Sequence, residues 1–158
     1  MLHYVTQPDE LAAVKAIFLE YIASLGFDIS SFQNTDKEFS NLLDLYGPPK
    51  GCIIVAPASH ELAACIALKP IAEGVCEMKR MYVRPAFRGQ GIARQLVAEL
   101  LTFAQKAGYH SIKLDTLSTM TSAIGLYRSF GFTECEPYVF NPMDNALYFE
   151  LILSRIDD

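Results

Sequence analysis

Met81-Tyr-Val-Arg-Pro-Ala-Phe-Arg-Gly-Gln-Gly-Ile-Ala-Arg94 runs a strand into a glycine-containing turn that opens a long amphipathic helix. Ile92, Leu96, Val97, Leu100, Leu101, Phe103 and Ala104 recur at helical spacing, so the helix starts near Gly91 with its unpaired N–H groups facing the turn. Those donors and the positive end of the helix dipole suit a phosphate. Gly89 and Gly91 let backbone approach an anion closely, and Arg88 and Arg94 can add charge from either side. Gln90, Ile92 and Ala93 complete the stretch that would line such a ligand.

Outward from this turn the punctuation describes one continuous domain over residues 1–158. Leu2–Val5 reads as a first strand, and Leu11, Val14, Ile17, Phe18, Tyr21, Ile22 and Leu25 as the apolar stripe of a helix. A shorter helix is expected from Asp36 to about Leu45, and the patternless loop Gly26–Thr35 between the two could border an acceptor pocket. Strand-like runs at Cys52–Ala56, Leu62–Leu68 and Val75–Val83 are joined by short links that favour an antiparallel meander. The helix of 91–107 ends at Gly108, and the strand after it, at His110–Thr116, should run parallel to the one before it. A helix over Thr121–Phe130 and strands at Phe132–Cys135 and Ala146–Leu153 finish the chain. The result is a single-domain α/β fold with a mixed, mostly antiparallel sheet flanked by helices.

Composition narrows the function classes. Hydrophobic residues are 51% of the chain and charged ones 20%, which fits a compact domain and not a disordered one. The net charge of −5 disfavours a general nucleic-acid binder, since the one basic cluster, Lys79 to Arg94, coincides with the phosphate turn. Charged residues interrupt every apolar run, so no membrane span is expected. The N-terminus has no secretory pattern, and the expected location is the cytoplasm. Cys52, Cys65, Cys76 and Cys135 form no Cys-x-x-Cys pair, and His3, His60 and His110 have no ligand spacing, so no metal is expected. A dinucleotide fingerprint fits poorly, because Arg94 stands where helix–strand packing needs a small residue.

Arg88-Gly-Gln-Gly91-Ile-Ala93 resembles the Arg/Gln-x-x-Gly-x-Gly/Ala signature of the GNAT family of N-acetyltransferases, and Ala123-Ile-Gly-Leu-Tyr127-Arg-Ser-Phe-Gly-Phe132 is similar to a second family segment. Together they cover residues 73–135 closely. The resemblance implies an acyl-CoA N-acyltransferase fold, with the pyrophosphate of acetyl-CoA on the turn and direct transfer of acetyl to a primary amine in a ternary complex. It assigns Glu77 as general base, usually acting through water, and Tyr127 as general acid toward the thioester sulfur. Met81 and Val83 would offer backbone groups to the pantetheine arm. Read as an even-stepped strand, Glu77, Met81 and Val83 project to one face. The family commonly has asparagine seven residues before its tyrosine; Met120 stands here, with Thr121 or Ser122 as stand-ins.

Tyr138 and Asn141, in the loop before the last strand, lie where family members border the acceptor. Each assignment has a plainer reading beside it: Glu77 as ion-pair partner of Lys79 or Arg80, Tyr127 as a core aromatic, and the 136–145 loop as turn chemistry. A small-molecule amine is favoured over a protein as acceptor, and an exposed final strand could pair two copies into a homodimer. The alternative to an enzyme is a non-catalytic acyl-CoA sensor, which would need the turn but neither Glu77 nor Tyr127.

Overall fold

The computed structural model describes residues 1–26 and 35–153. The loop expected to border the acceptor pocket therefore lies, in nearly all of its length, outside the described residues. Strands β1 (His3–Tyr4), β2 (Cys52–Ala58), β3 (Glu61–Ala72), β4 (Val75–Val83), β5 (Ser111–Leu117), β6 (Thr133–Glu134) and β7 (Ala146–Ile152) form one sheet in the order β1-β2-β3-β4-β5-β7-β6. Among the described strands only β4 and β5 run parallel. Helices α1 (Leu11–Ser24), α2 (Thr35–Ser40), α3 (Leu42–Tyr46), α4 (Ile92–Lys106) and α5 (Thr121–Ser129) complete the α/β fold.

Period-two alternation in β2 and β3 sends side chains to two separate cores. Ile54, Ile66 and Leu68 pack with Leu96, Val97 and Leu100 of α4 and with Tyr127 of α5. Ile53, Val55, Cys65 and Ala67 pack with Val14, Ile17 and Phe18 of α1 and with Leu42 and Tyr46 of α3. A sheet apolar on both faces must be covered on both, and here the N-terminal helices take one face and α4 with α5 the other.

Three expectations need correction. The single helix over Asp36–Leu45 is two short ones, because Asn41 leaves helical geometry at φ −133°. The final strand is not an exposed edge: β7 lies between β5 and β6, and after β6 the Cys135 N–H donates to the Tyr148 carbonyl, so the strand-pairing route to a homodimer has lost its basis. Most consequential is β4. Cys65 pairs with Tyr82 but Ala67 with Lys79, so two residues, Arg80 and Met81, stand opposite Ile66. This is a β-bulge, with Arg80 in the left-handed region at φ 60°. Beyond it the alternation flips. Met81 and Val83 pack toward α4, while Glu77 belongs to the opposite face, that of Lys79 and Tyr82.

Candidate active site

The parallel pairing of β4 with β5 covers only Val75–Glu77 against Ser111–Lys113. Past that rung β4 bulges and the two strands part, leaving a gap in the middle of the sheet. Two cavities open there. One, of about 290 Å³, is lined by Glu77, Asp115, Tyr127 and Asn141 among others. The other, of about 580 Å³, runs along the end of β4 to the glycine turn and to Thr119–Ala123. Met81 and Met120 border both, so the two cavities meet at this pair of thioethers.

The turn owes its shape to two left-handed glycines, Gly89 at φ 82° and Gly91 at φ 80°. A Cβ built on either would meet no protein atom within 4 Å, so the space over them is open to a ligand. Gly91 caps α4 without a side-chain bond, and the first helical bond runs from the Gln95 N–H to the Gly91 carbonyl. The N–H groups of Ile92, Ala93 and Arg94 precede that bond and have no acceptor within the helix. Arg88 donates from Nε to the Val83 carbonyl at 3.0 Å, and Arg94 donates to Ser129 Oγ at 3.1 Å. Both guanidiniums line the larger cavity together with Gly89, Gly91, Ile92 and Ala93, whereas Gln90 is exposed and outside its lining.

In the smaller cavity Glu77 is 1% exposed. Tyr138 donates its hydroxyl to Oε2 at 2.6 Å, and Lys69 and Lys79 bring Nζ to 3.8 and 4.0 Å from Oε1. The plainer ion-pair reading of Glu77 thus holds for Lys79, while Arg80 turns to Glu38 instead. Burial, then the charge of Glu77 and its hydrogen bond, push the Tyr138 phenol far above its ordinary value. Tyr138 serves Glu77 and is absent from the cavity lining, which Val139, Phe140 and Asn141 form at that loop.

Tyr127 is buried on α5, its ring 5.8 Å from that of Phe132, and burial raises its phenol strongly, helped by the charges of Tyr21 and Asp115. Among the described residues its hydroxyl has no hydrogen-bond partner, and the residue lines the cavity. Burial likewise takes Tyr21, across the cavity on α1, up to about 12. Tyr127 is thus a core aromatic that also borders the cavity.

Sequence reasoning missed Asp115, Lys69 and Arg80, which all line this cavity. Asp115 is placed by the register: it stands two residues beyond Lys113, the register partner of Glu77, and so on the same face of the sheet, which the sequence alone does not show. Nothing comparable marks Arg80, whose guanidinium is buried against Glu38, with Nε donating to Oε2 at 3.1 Å and a second, short bond from Nη2 to Oε1.

Comparison with known proteins agrees with this geometry. The model of the acetyltransferase (GNAT) family matches residues 18–132. A Schizosaccharomyces pombe protein known as an uncharacterized N-acetyltransferase is 43% identical over 94% of this chain and 91% of its own. Among solved structures, a GNAT-family acetyltransferase of Staphylococcus aureus superposes with a TM-score of 0.78 at 20% identity, over 98% of this chain and 100% of its own. The Salmonella typhimurium protein yncA, in a structure with its cofactor acetyl-CoA, does so at 0.74 and 19% identity, over 100% and 96%. The family match runs from α1 through α5, across the parted strands and the glycine turn, and the chain belongs to the acetyltransferase (GNAT) family.

Proposed function

We propose that this protein transfers the acetyl group of acetyl-CoA directly to a primary amine of a small molecule, in a ternary complex. The observation that carries the reading is the meeting of the two cavities at Met81 and Met120, one leading to an anion-binding turn and the other to buried polar groups. The turn fits the donor's pyrophosphate: a cradle that a Cβ would fill, three unpaired N–H groups of Ile92, Ala93 and Arg94, and two guanidiniums. Backbone groups of Met81 and Val83, without a β5 partner where that strand diverges, can hold the pantetheine arm, the Val83 carbonyl being shared with Arg88 Nε. Thr121 and Ser122 line the same cavity and can supply hydroxyls beside Met120. Acetyl-CoA supplies an acetyl group activated as a thioester, which an amine displaces with release of the thiol.

Tyr127 acts toward that thiol and Glu77 toward the amine. A phenol raised far above 10 is a weak proton donor to a thiolate of pKa about 8.5, so Tyr127 works as a hydrogen-bond donor that steadies the leaving sulfur. A lysine-like amine at pH 7 needs roughly 4.6 kcal/mol to lose its proton, so the base matters more. Glu77, its oxygens already engaged, takes that proton through water. The cavity of about 290 Å³ sits at the small end of ligand pockets, which supports a small acceptor. Four free cysteines, three of them buried, suit the reducing cytoplasm.

Calorimetry with acetyl-CoA and thiol release with a panel of primary amines test the reading. Tyr127→Phe is expected to keep donor affinity and lose about 10- to 100-fold in kcat, the size of one hydrogen bond to a charged group. Full activity in that variant removes Tyr127 from the mechanism. Absence of saturable binding to acetyl-CoA removes the function.

A further inference from the structure

We propose that Asp115 is the group that receives the acceptor as its ammonium ion, so that the enzyme selects cationic amines; this rests on the transfer reading above. Two carboxylates line the acceptor cavity and they are not equivalent. Glu77 accepts a hydrogen bond from Tyr138 and has the ammonium groups of Lys69 and Lys79 within 4.0 Å. Arg80, the remaining cation in that wall, is committed to Glu38. Asp115 has a different environment: Asn141 Nδ2 donates to its Oδ2 at 3.0 Å, and among the described residues no ammonium or guanidinium lies within 4.0 Å of it. Among the described residues its one hydrogen-bond partner is a neutral amide.

That amide is itself held in place. The Met143 N–H donates to Asn141 Oδ1 at 3.0 Å, which fixes which end of the side chain faces Asp115. Asn141, expected from sequence to contact substrate, is thus a positioning residue for the carboxylate. Asp115 also stands beyond the last rung shared by β4 and β5, facing the gap from the β5 side. Its charge is felt around the cavity, adding to burial in raising the phenols of Tyr127, Tyr138 and Tyr21. An ammonium entering the cavity needs a fixed anion to replace its water, and Asp115 is the lining carboxylate that no cation among the described residues neutralises. An uncharged amine gains nothing from it.

The probes are ethylamine, a cation at neutral pH, and methoxyamine, which is uncharged there, each with acetyl-CoA as donor and thiol release as readout. In Asp115→Asn, kcat/KM for ethylamine is expected to fall about 10- to 100-fold, the effect of one hydrogen bond to a charged group, carried by KM, while methoxyamine changes by less than about twofold. Asp115→Glu restores part of the ethylamine rate, and acetyl-CoA affinity stays unchanged in both variants. Equal losses for the two amines, a loss confined to kcat, or no loss at all overturns the assignment. A wild-type protein that binds acetyl-CoA but releases no thiol with either amine overturns the transfer reading instead, and Asp115's role falls with it.

Discussion

At Glu77 one buried carboxylate serves three partners, and the two readings of it, base and ion-pair centre, predict different consequences of removing the charge. The lysine contacts, at 3.8 and 4.0 Å, are Coulombic and lack hydrogen bonds, and the side chains of Lys69 and Lys79 remain 29% and 23% exposed. Solvent therefore screens them, and Glu77→Gln should cost about 1–2 kcal/mol, well short of the ~3–5 for breaking a fully buried pair. The same change should let Tyr138 titrate at lower pH, since the carboxylate adds to burial in holding the phenol up; ultraviolet difference titration against Tyr138→Phe reads this. If Glu77 is the base, kcat/KM toward ethylamine drops about 10²-fold or more, with the loss growing as pH falls and free amine becomes scarcer. Activity within a few-fold of wild type, alongside the stability loss, would leave Glu77 as an ion-pair centre alone.

The elements divide into those whose sequence follows one period and those in which the period breaks. The helix α4 and its glycine turn were legible because the 3.6-residue stripe, the glycines and the flanking arginines all point to one geometry, and Gly91 does cap the helix in the left-handed region. Strand β4 was legible as a strand but not in its facing. Even steps put Met81 with Glu77, and the extra residue at Arg80 reverses that, because no glycine or proline marks the bulge. Asp115 stayed hidden for a related reason: only the register of β5 against β4 sets it across the gap from Glu77. The turn offers the sharper test of element over residue. Gly91→Val forces a branched side chain to φ 80°, at a cost of about 1–2 kcal/mol, and drives its methyl groups into the open cradle. Acetyl-CoA affinity by calorimetry should weaken by at least about tenfold with the fold retained. Gly125→Ala in α5 also meets no atom within 4 Å but has helical backbone, so it should keep affinity and gain roughly 0.5–1 kcal/mol of stability. Equal donor affinity in Gly91→Val and wild type would exclude the turn as the pyrophosphate site.

Across the whole molecule, the bulge that opens the site also ties the N-terminal helices to the sheet. Arg80 reaches from β4 to Glu38 on α2, and Tyr46 on α3 donates its hydroxyl to the same carboxylate at 2.9 Å. A non-glycine residue at φ 60° costs about 1–3 kcal/mol, a strain tolerated where surrounding contacts over-determine the backbone, as this buried network does. Burial alone would raise the Glu38 carboxyl, but the hydrogen bonds and charge of Arg80, aided by Lys79 and Tyr46, outweigh it and leave the group below its ordinary value. The sign follows from proton binding: between the folded and unfolded values the unfolded chain holds more protons at this site, so stability rises with pH. The contribution is complete above the ordinary glutamate value of about 4.3 and is lost as pH falls through the lower folded value. Glu38→Gln should therefore cost about 3–5 kcal/mol at neutral pH by urea unfolding, because it removes the negative charge paired with a buried guanidinium. The gap to wild type should narrow steadily below about pH 4, as protonation does to Glu38 what the substitution has already done. A gap that stays constant down to the acid transition would mean that the network acts by packing and hydrogen bonding, with no share from the carboxylate's charge.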